Sequence, residues 1–278
     1  MDPSRYQDKD YLRGSQYKDS GNLNARAQLH ARFSTSAVDW QPWVFDQLRL
    51  AAGSRVLECG CGPGWLWRAN LDRIPAGCQI TLTDLSAGMV AEARAALAGS
   101  GHAFRFQTAD VQALPFDDAS FDVIVANHML YHVPDLARAL AELRRVLAPG
   151  GRLHAVTNGA RHMAEVKALR RELAAELGLP LRDAADFVLP FRLENGRELL
   201  APWFEKIELI PFEDSLRVTE AAPLVAYALS ADEARAALDA AQLATVEALV
   251  AERIAAGGGA IEITKAVGMF VAEKMVIG

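Results

Sequence analysis

Between residues 54 and 157 short apolar runs alternate with amphipathic stretches of helical spacing, and this alternation constrains the fold more than any other feature of the chain. Arg55-Val56-Leu57-Glu58-Cys59 reads as a strand and Gln79-Ile80-Thr81-Leu82-Thr83-Asp84 as a second. Residues 103–107, 121–126 and 152–157 supply three more. After the second strand Ser86 is placed to cap a helix carrying Met89, Val90, Ala93 and Leu97 on one face. Pro134 is expected to open another, with Leu136, Leu140, Leu143 and Leu147 at helical spacing, ended by Pro149-Gly150-Gly151. Strands that are apolar throughout need cover on both faces, which implies a parallel, doubly wound α/β sheet. Right-handed crossovers then bring the strand C-termini to one edge, where a ligand crevice opens. Glu58, Asp84, Asp110, Asn127 and His128 all fall at or just past such an end.

The flanks are less regular. Residues 1–50 read as an N-terminal helical strap or lid: a polar stretch with Tyr6, Tyr11 and Tyr17, a helix over 22–33, and a second helix capped by Asp39 with Pro42 in its first turn. Residues 51–278 then form the main domain, with cap inserts at about 159–205 and 215–258. Within these, 161–178 is expected to be helical, 206–212 a strand, and Ser230-Ala231-Asp232-Glu233 the capping box of a long helix ending at Gly257-Gly258-Gly259. Residues 261–271 supply a last strand.

The turn after the first strand carries the chemistry. Its glycines stand at Gly60, Gly62 and Gly64, where backbone must approach a ligand and where some positions need positive φ. A dinucleotide fingerprint wants its third glycine where Trp65 stands, and the residue before the turn, Glu58, repels a pyrophosphate. An acid there suits a ligand with an ammonium and a sulfonium. Asp84 can accept both hydroxyls of a ribose, and Asp110 can accept from an exocyclic adenine amine with the Val111 N–H beside it. Leu85 or Met89 can cover the adenine face. Together these predict S-adenosylmethionine (SAM) as the ligand, leaving S-adenosylhomocysteine (SAH) after transfer.

The run Val56-Leu57-Glu58-Cys59-Gly60-Cys61-Gly62-Pro63-Gly64 resembles the first motif of class I SAM-dependent methyltransferases. Asp110 with Ala113-Leu114-Pro115-Phe116 and Ser120-Phe121-Asp122, then residues 127–135 and Leu147-Ala148-Pro149-Gly150-Gly151, resemble its bacterial small-molecule branch over roughly residues 50–158. Glu194-Asn195-Gly196 and the terminal strand are similar to one bacterial subgroup. The resemblance implies a mostly parallel seven-stranded sheet with an antiparallel last strand, and carries SAM contacts onto Glu58, Gly60, Gly62, Asp84, Asp110 and Asn127; Cys61, between two of the glycines, is a further candidate for the donor site. The Asp/Asn-Pro-Pro-aromatic motif of amino-methylating nucleic-acid enzymes is replaced by Asn127-His128-Met129-Leu130.

Methyl transfer asks the protein to align a nucleophile, exclude water and sometimes remove a proton. His128 is the first candidate base and His132 the second, each with the alternative of merely capping or hydrogen-bonding locally. Tyr17 on the strap, and Glu213 or Asp214 after the sixth strand, fall on the same edge. A relay of Tyr17, His128 and Asp214 would suit an aromatic or heteroaromatic carbon that loses a proton. Glu194, Arg26 and His30 can face the pocket or solvent. The apolar runs 187–191, 203–204 and 224–227 can roof a partly apolar metabolite pocket.

Composition narrows the classes. The net charge of −6, without a Lys/Arg block, speaks against nucleic acid as partner. Three cysteines, Cys59, Cys61 and Cys78, fit neither a disulfide framework nor a zinc site, so no metal is expected. The expected setting is cytoplasmic, since no apolar leader or membrane-length run is read. The competing readings are a catalytically inactive SAM-binding sensor or scaffold, an NAD-linked oxidoreductase and, within enzymes, a tRNA or protein methyltransferase. Acceptor and oligomeric state are not legible.

Overall fold

The computed structural model describes residues 7–18, 21–178, 189–230 and 238–275. Nine strands are described: β1 (Arg55–Cys59), β2 (Gln79–Asp84), β3 (Ala103–Thr108), β4 (Phe121–Asn127), β5 (Leu147–Asn158), β6 (Glu205–Phe212), β7 (Ser215–Val218), β8 (Ile261–Thr264) and β9 (Val267–Glu273). Seven of them form one sheet in the order β3-β2-β1-β4-β5-β9-β6, while β7 and β8 pair in a separate two-stranded sheet. The β1–β5 neighbours are all parallel, and β9 runs antiparallel to both β5 and β6.

The central strands β1, β2 and β4 are buried on both faces, as their apolar runs require, while the edge strands β3 and β6 are largely exposed. Leu57, Ile124, Leu153 and Ala155 pack on one face with Leu140, Leu143 and Val146 of the helix Leu136–Val146. Val56, Ile80, Leu82 and Val125 pack on the other with Val44 and Leu48 of the helix Trp40–Leu48 and with Ala93 of the helix Ala87–Ala96. Each fully buried Leu or Ile in these layers contributes about 1.5–3 kcal/mol relative to exposure. The strand order reverses between β1 and β4, so the crevice opens at the C-terminal ends of β1, β2 and β4.

A third buried cluster stands over that edge. It joins Leu29 and Phe33 of the helix Gly21–Phe33 to Leu169 and Leu173 of the helix Ala164–Leu177, Leu224 and Val225 of the helix Ala221–Leu229, and Val246 and Val250 of the helix Ala240–Ala256. The residues expected as one N-terminal strap therefore lie in three places. Gln7–Lys18 lies along the crevice, Gly21–Phe33 joins the inserts in the cap, and Trp40–Leu48 packs on the sheet.

Several boundaries differ from expectation for local reasons. The helix expected from Pro134 starts at Leu136, because Asp135 accepts the Arg138 N–H at 3.0 Å as its cap. That helix ends at Val146, and Leu147 already pairs with Phe121, with a register shift before Val123 meets Arg152. The last strand is divided at Lys265-Ala266: β8 joins β7, and β9 inserts inside the main sheet between β5 and β6. Ser230 closes the helix Ala221–Leu229, donating to Tyr227 O at 2.7 Å. The rest of the capping box expected at 230–233 lies outside the described residues, and the described long helix has its own box in Asp239 and Gln242. Among the described residues no helix is long and apolar enough to cross a membrane.

Candidate functional site

The turn leaving β1 is held by its backbone. Gly60, Gly62 and Gly64 all have positive φ (71°, 53° and 77°), Cys61 N–H donates to Thr83 O at 2.9 Å, and Gly64 N–H donates to Cys61 O at 3.1 Å. A Cβ on Gly60 would stand 2.8 Å from Met129 Cβ, and one on Gly64 would press on Ala93 and Leu97 at 3.3 Å. A Cβ on Gly62 would meet nothing within 4 Å, because this glycine borders open space. That space is a cavity of about 1160 Å³ running from the strand ends to the cap.

Glu58 is 2% exposed, and its Oε2 accepts from Trp67 Nε1 at 2.7 Å. Burial pushes its carboxyl up to about 8; the Trp67 hydrogen bond opposes this and the nearby Asp84 charge adds to it. A cation placed beside it would favour the ionised form. Asp84 sits at the end of β2, with Oδ2 accepting from Gly62 N–H at 3.0 Å and Oδ1 from Ser86 N–H at 2.9 Å. Burial raises its carboxyl too, against the pull of those N–H groups. Each of its oxygens keeps a further lone pair for a ligand hydroxyl. Asn127, ending β4, lines the same cavity with a buried Oδ1 that has no protein donor.

Asp110 carries an unexpected partner. Lys9 of the N-terminal segment ion-pairs with its Oδ2, while Gln112 N–H donates to Oδ1 at 3.0 Å. Burial would raise this carboxyl, but Lys9 and Gln112 hold it below the usual carboxylate range. Val111 and Met89 are buried and Leu85 half-buried along the same wall. Cys59 and Cys61 are free but buried thiols: burial pushes Cys59 up to about 12 and Cys61 well up, so neither is a thiolate nucleophile at neutral pH.

The expected order Tyr17, His128, Asp214 is not the arrangement found. Tyr17 Oη lies 2.9 Å from His132 Nε2, their rings edge to face with centroids at 5.3 Å. The His128 backbone takes φ 55°, and its ring rests 5.3 Å from Trp40. Burial pulls His128 down to about 3, and His30, Lys265 and His132 add to the effect. Asp214 pairs with Lys265 instead, and its Oδ1 also accepts from Ser34 Oγ at 2.8 Å and from the Thr35 and Ser36 N–H groups at 3.1 Å each. These bonds hold the 34–36 turn against the end of β6. Tyr17, His128, His132 and Asp214 do share the cavity lining.

Other motifs have structural roles. Asp122 is forked by Arg55 (Nη2 to Oδ1, 2.6 Å), at the opposite end of the sheet from the cavity. Glu194 accepts from Ala160 N–H at 2.9 Å, Asn195 closes its own turn onto Arg192 and Pro190, and Gly196 lies under Phe270. Glu213 is exposed. His30 lines the cavity, whereas the side chain of Arg26 and residues 187–188 lie outside the described residues. Trp67, Lys9, Asn158, His162 and Lys265 were not foreseen. Trp67 carries no local signal, since only the fold of the 60–64 turn aims its indole back at Glu58. Among the described residues no group of three His, Cys, Asp or Glu side chains can hold a metal ion.

Residues 57–155 match the family described as a methyltransferase domain. A malonyl-[acyl-carrier protein] O-methyltransferase of Erwinia billingiae is 42% identical over 119 residues, 42% of this chain and 43% of that protein. A ubiquinone/menaquinone biosynthesis C-methyltransferase UbiE of Hahella chejuensis is 35% identical over 116 residues, 41% of this chain and 47% of that protein. The chain thus spans less than half the length of these curated relatives. Among solved structures, the [4+2]-cyclase SpnF shares 20% identity at a TM-score of 0.61, covering 96% of this chain and 97% of that one. A putative methyltransferase from Bacillus halodurans C-125 shares 17% at 0.56, covering 85% and 99%. One of these folds is called a cyclase and the other a methyltransferase, so the structural likeness carries the architecture and not the reaction.

Proposed function

We propose, from the match of residues 57–155 to a methyltransferase domain, that this chain is a class I SAM-dependent methyltransferase that transfers a methyl group from SAM to a small, partly apolar acceptor. One observation carries the reading. An acid buried to 2% exposure stands beside a glycine turn whose middle glycine borders a cavity, with Asp84, Asp110 and Asn127 at successive strand ends around it.

The residues fit the donor. Glu58 and Asn127 Oδ1 suit its ammonium group, the turn at Gly60 with the open backbone at Gly62 its amino-acid stem, and Asp84 the ribose hydroxyls. Asp110 and the Val111 N–H suit the adenine edge, with Leu85 and Met89 against its face. When bound, SAM supplies a methyl carbon already activated as an electrophile on a positive sulfur. The protein's work is alignment and exclusion of water. Gln7–Lys18 covers the crevice through Lys9 on Asp110, Gln7 Nε2 on Val133 O at 3.1 Å, and Tyr17 on His132, and we read this segment as a lid. His128, depressed to about 3, is a weak base at neutral pH, so it orients the acceptor more than it removes a proton. His132, with Tyr17 as its partner, is the better placed proton acceptor.

Trp40 and Phe212 line the acceptor end, their rings edge to face with centroids 5.0 Å apart, and Trp43 backs both from outside the lining, so that this end has an apolar wall. A small metabolite suits this chamber better than a nucleic acid, since the net charge is −6. The test is turnover of labelled SAM with a metabolite panel, reading labelled product and SAH. Tight SAH binding without turnover of any member would favour a SAM-binding sensor.

A further inference from the structure

The acceptor end of the cavity has a charge pattern that the donor site does not explain. His30, His128, His162 and Lys265 line it together, brought there by four separate elements: the helix Gly21–Phe33, the turn after β4, the turn after β5, and the link between β8 and β9. His30 and His162 stack with centroids 6.4 Å apart, and Tyr227 meets His30 edge-on at 5.7 Å. The Lys265 ammonium lies 5.3 Å from the Phe212 ring centre, and its side chain is 8% exposed. Four of the chain's six histidines, His132 included, border one cavity.

Five acids line the same cavity among the described residues, and their places are telling. Glu58, Asp84 and Asp110 stand at the donor-side strand ends, and Asp39 is exposed at the start of the helix Trp40–Leu48. Asp214 alone faces the basic group, and it already serves Lys265, Ser34 Oγ and two backbone N–H groups. His162 Nδ1 is buried with no hydrogen-bond partner, as is Asn158 Oδ1 beside it in the lining. The basic groups also discourage one another: after burial itself, His30, His128, Lys265 and Lys167 all push the His162 imidazole well down. Unpartnered polar atoms are costly to bury unless a ligand satisfies them.

We propose that the chamber bounded by His30, His162 and Lys265 binds an acidic oxygen of the methyl acceptor, a carboxylate or a phenolate, as its anion. An anion there meets donors from two imidazoles and an ammonium, and it complements the positive sulfur bound at the other end of the cavity. A hydroxyl or N–H next to that oxygen would supply Asn158 Oδ1 with the donor it lacks. The inference rests on the methyltransferase reading, because it identifies this end as the acceptor side.

The full chain is first titrated with SAH, and failure of SAH to bind would defeat the donor reading itself. The SAH-loaded protein is then titrated with matched pairs: phenylacetate against methyl phenylacetate, and 4-nitrophenol against 4-nitroanisole. The chamber should favour at least one acid over its methylated partner by about ten-fold or more, and the arm that responds separates carboxylate from phenolate. Replacing His162 in H162Q should cut that preference several-fold and leave SAH affinity unchanged. Equal binding of acid and methylated partner in both pairs, preference for the neutral partners, or an H162Q protein that binds SAH and keeps the full preference would overturn the proposal.

Discussion

Replacing Glu58 by Gln tests the buried acid through two opposite effects. In the ligand-free protein burial lifts the carboxyl from its usual 4.5 to about 8. A raised folded-state value favours folding fully only below the unfolded value, and that advantage is lost as pH rises towards 8. Between these limits the unfolded chain releases its proton while the folded one keeps it, at about 1.4 kcal/mol per pH unit. By pH 8 the accumulated penalty is on the order of 5 kcal/mol, reduced in practice by relaxation around the site. E58Q carries no such penalty, so its unfolding midpoint should exceed that of the native chain by a margin that grows from pH 5 to pH 8. Ligand binding runs the other way. A donor ammonium needs the ionised acid, and about nine in ten empty molecules hold the proton at pH 7. SAH binding should therefore release close to one proton, and affinity should fall about ten-fold per pH unit below 8. Calorimetry in buffers of different ionisation enthalpy reads the proton count directly. Loss of the proton release in E58Q, together with much weaker SAH binding, is the expected result. A pH-independent SAH affinity in the native chain, or proton release that persists in E58Q, would refute the assignment of the acid to the donor.

The glycine turn and the lid make further predictions. Gly60→Ala places a Cβ 2.8 Å from Met129 at a positive φ, so stability should fall by about 1–3 kcal/mol in denaturant melts, with SAH affinity falling as well. Gly196→Ala drives a methyl into the Phe270 ring, outside the cavity lining; it should cost about 3 kcal/mol and leave SAH affinity in the surviving folded protein unchanged. Lys9→Ala frees Asp110, and stopped-flow mixing should show SAH associating several-fold faster. Tyr17→Phe removes the hydroxyl partner of His132, so turnover should fall several-fold while SAH binding holds.

The sheet was legible because its strands are short apolar runs closed by Gly, Asp or Asn, and the alternation with helices leaves few alternatives. Glu58, Asp84 and Asp110 were legible for the same reason: a residue at a strand end in a parallel sheet has its edge fixed by topology. Partners supplied from distant chain were not. Trp67 reaches Glu58 only after the 60–64 turn folds back, Lys9 meets Asp110 across 101 positions, and Lys265 meets Asp214 across 51. The split of the last strand at Lys265-Ala266 was equally hidden, since both halves have the same apolar, β-branched character and only pairing with β7 or with β5 and β6 separates them. Shared placement on one edge correctly grouped Tyr17, His128 and Asp214 in one cavity, yet it did not dictate who bonds to whom. That depended on His128 turning towards Trp40 and on the 34–36 turn claiming Asp214.

The central claim is that the crevice at Gly60–Gly64 holds SAM and not a dinucleotide. Parallel calorimetric titrations of the native chain with SAH and with NAD⁺ test it most directly. One SAH should bind per chain, with proton release below pH 8, and NAD⁺ should give no binding heat. Saturable NAD⁺ binding with no response to SAH would contradict the account.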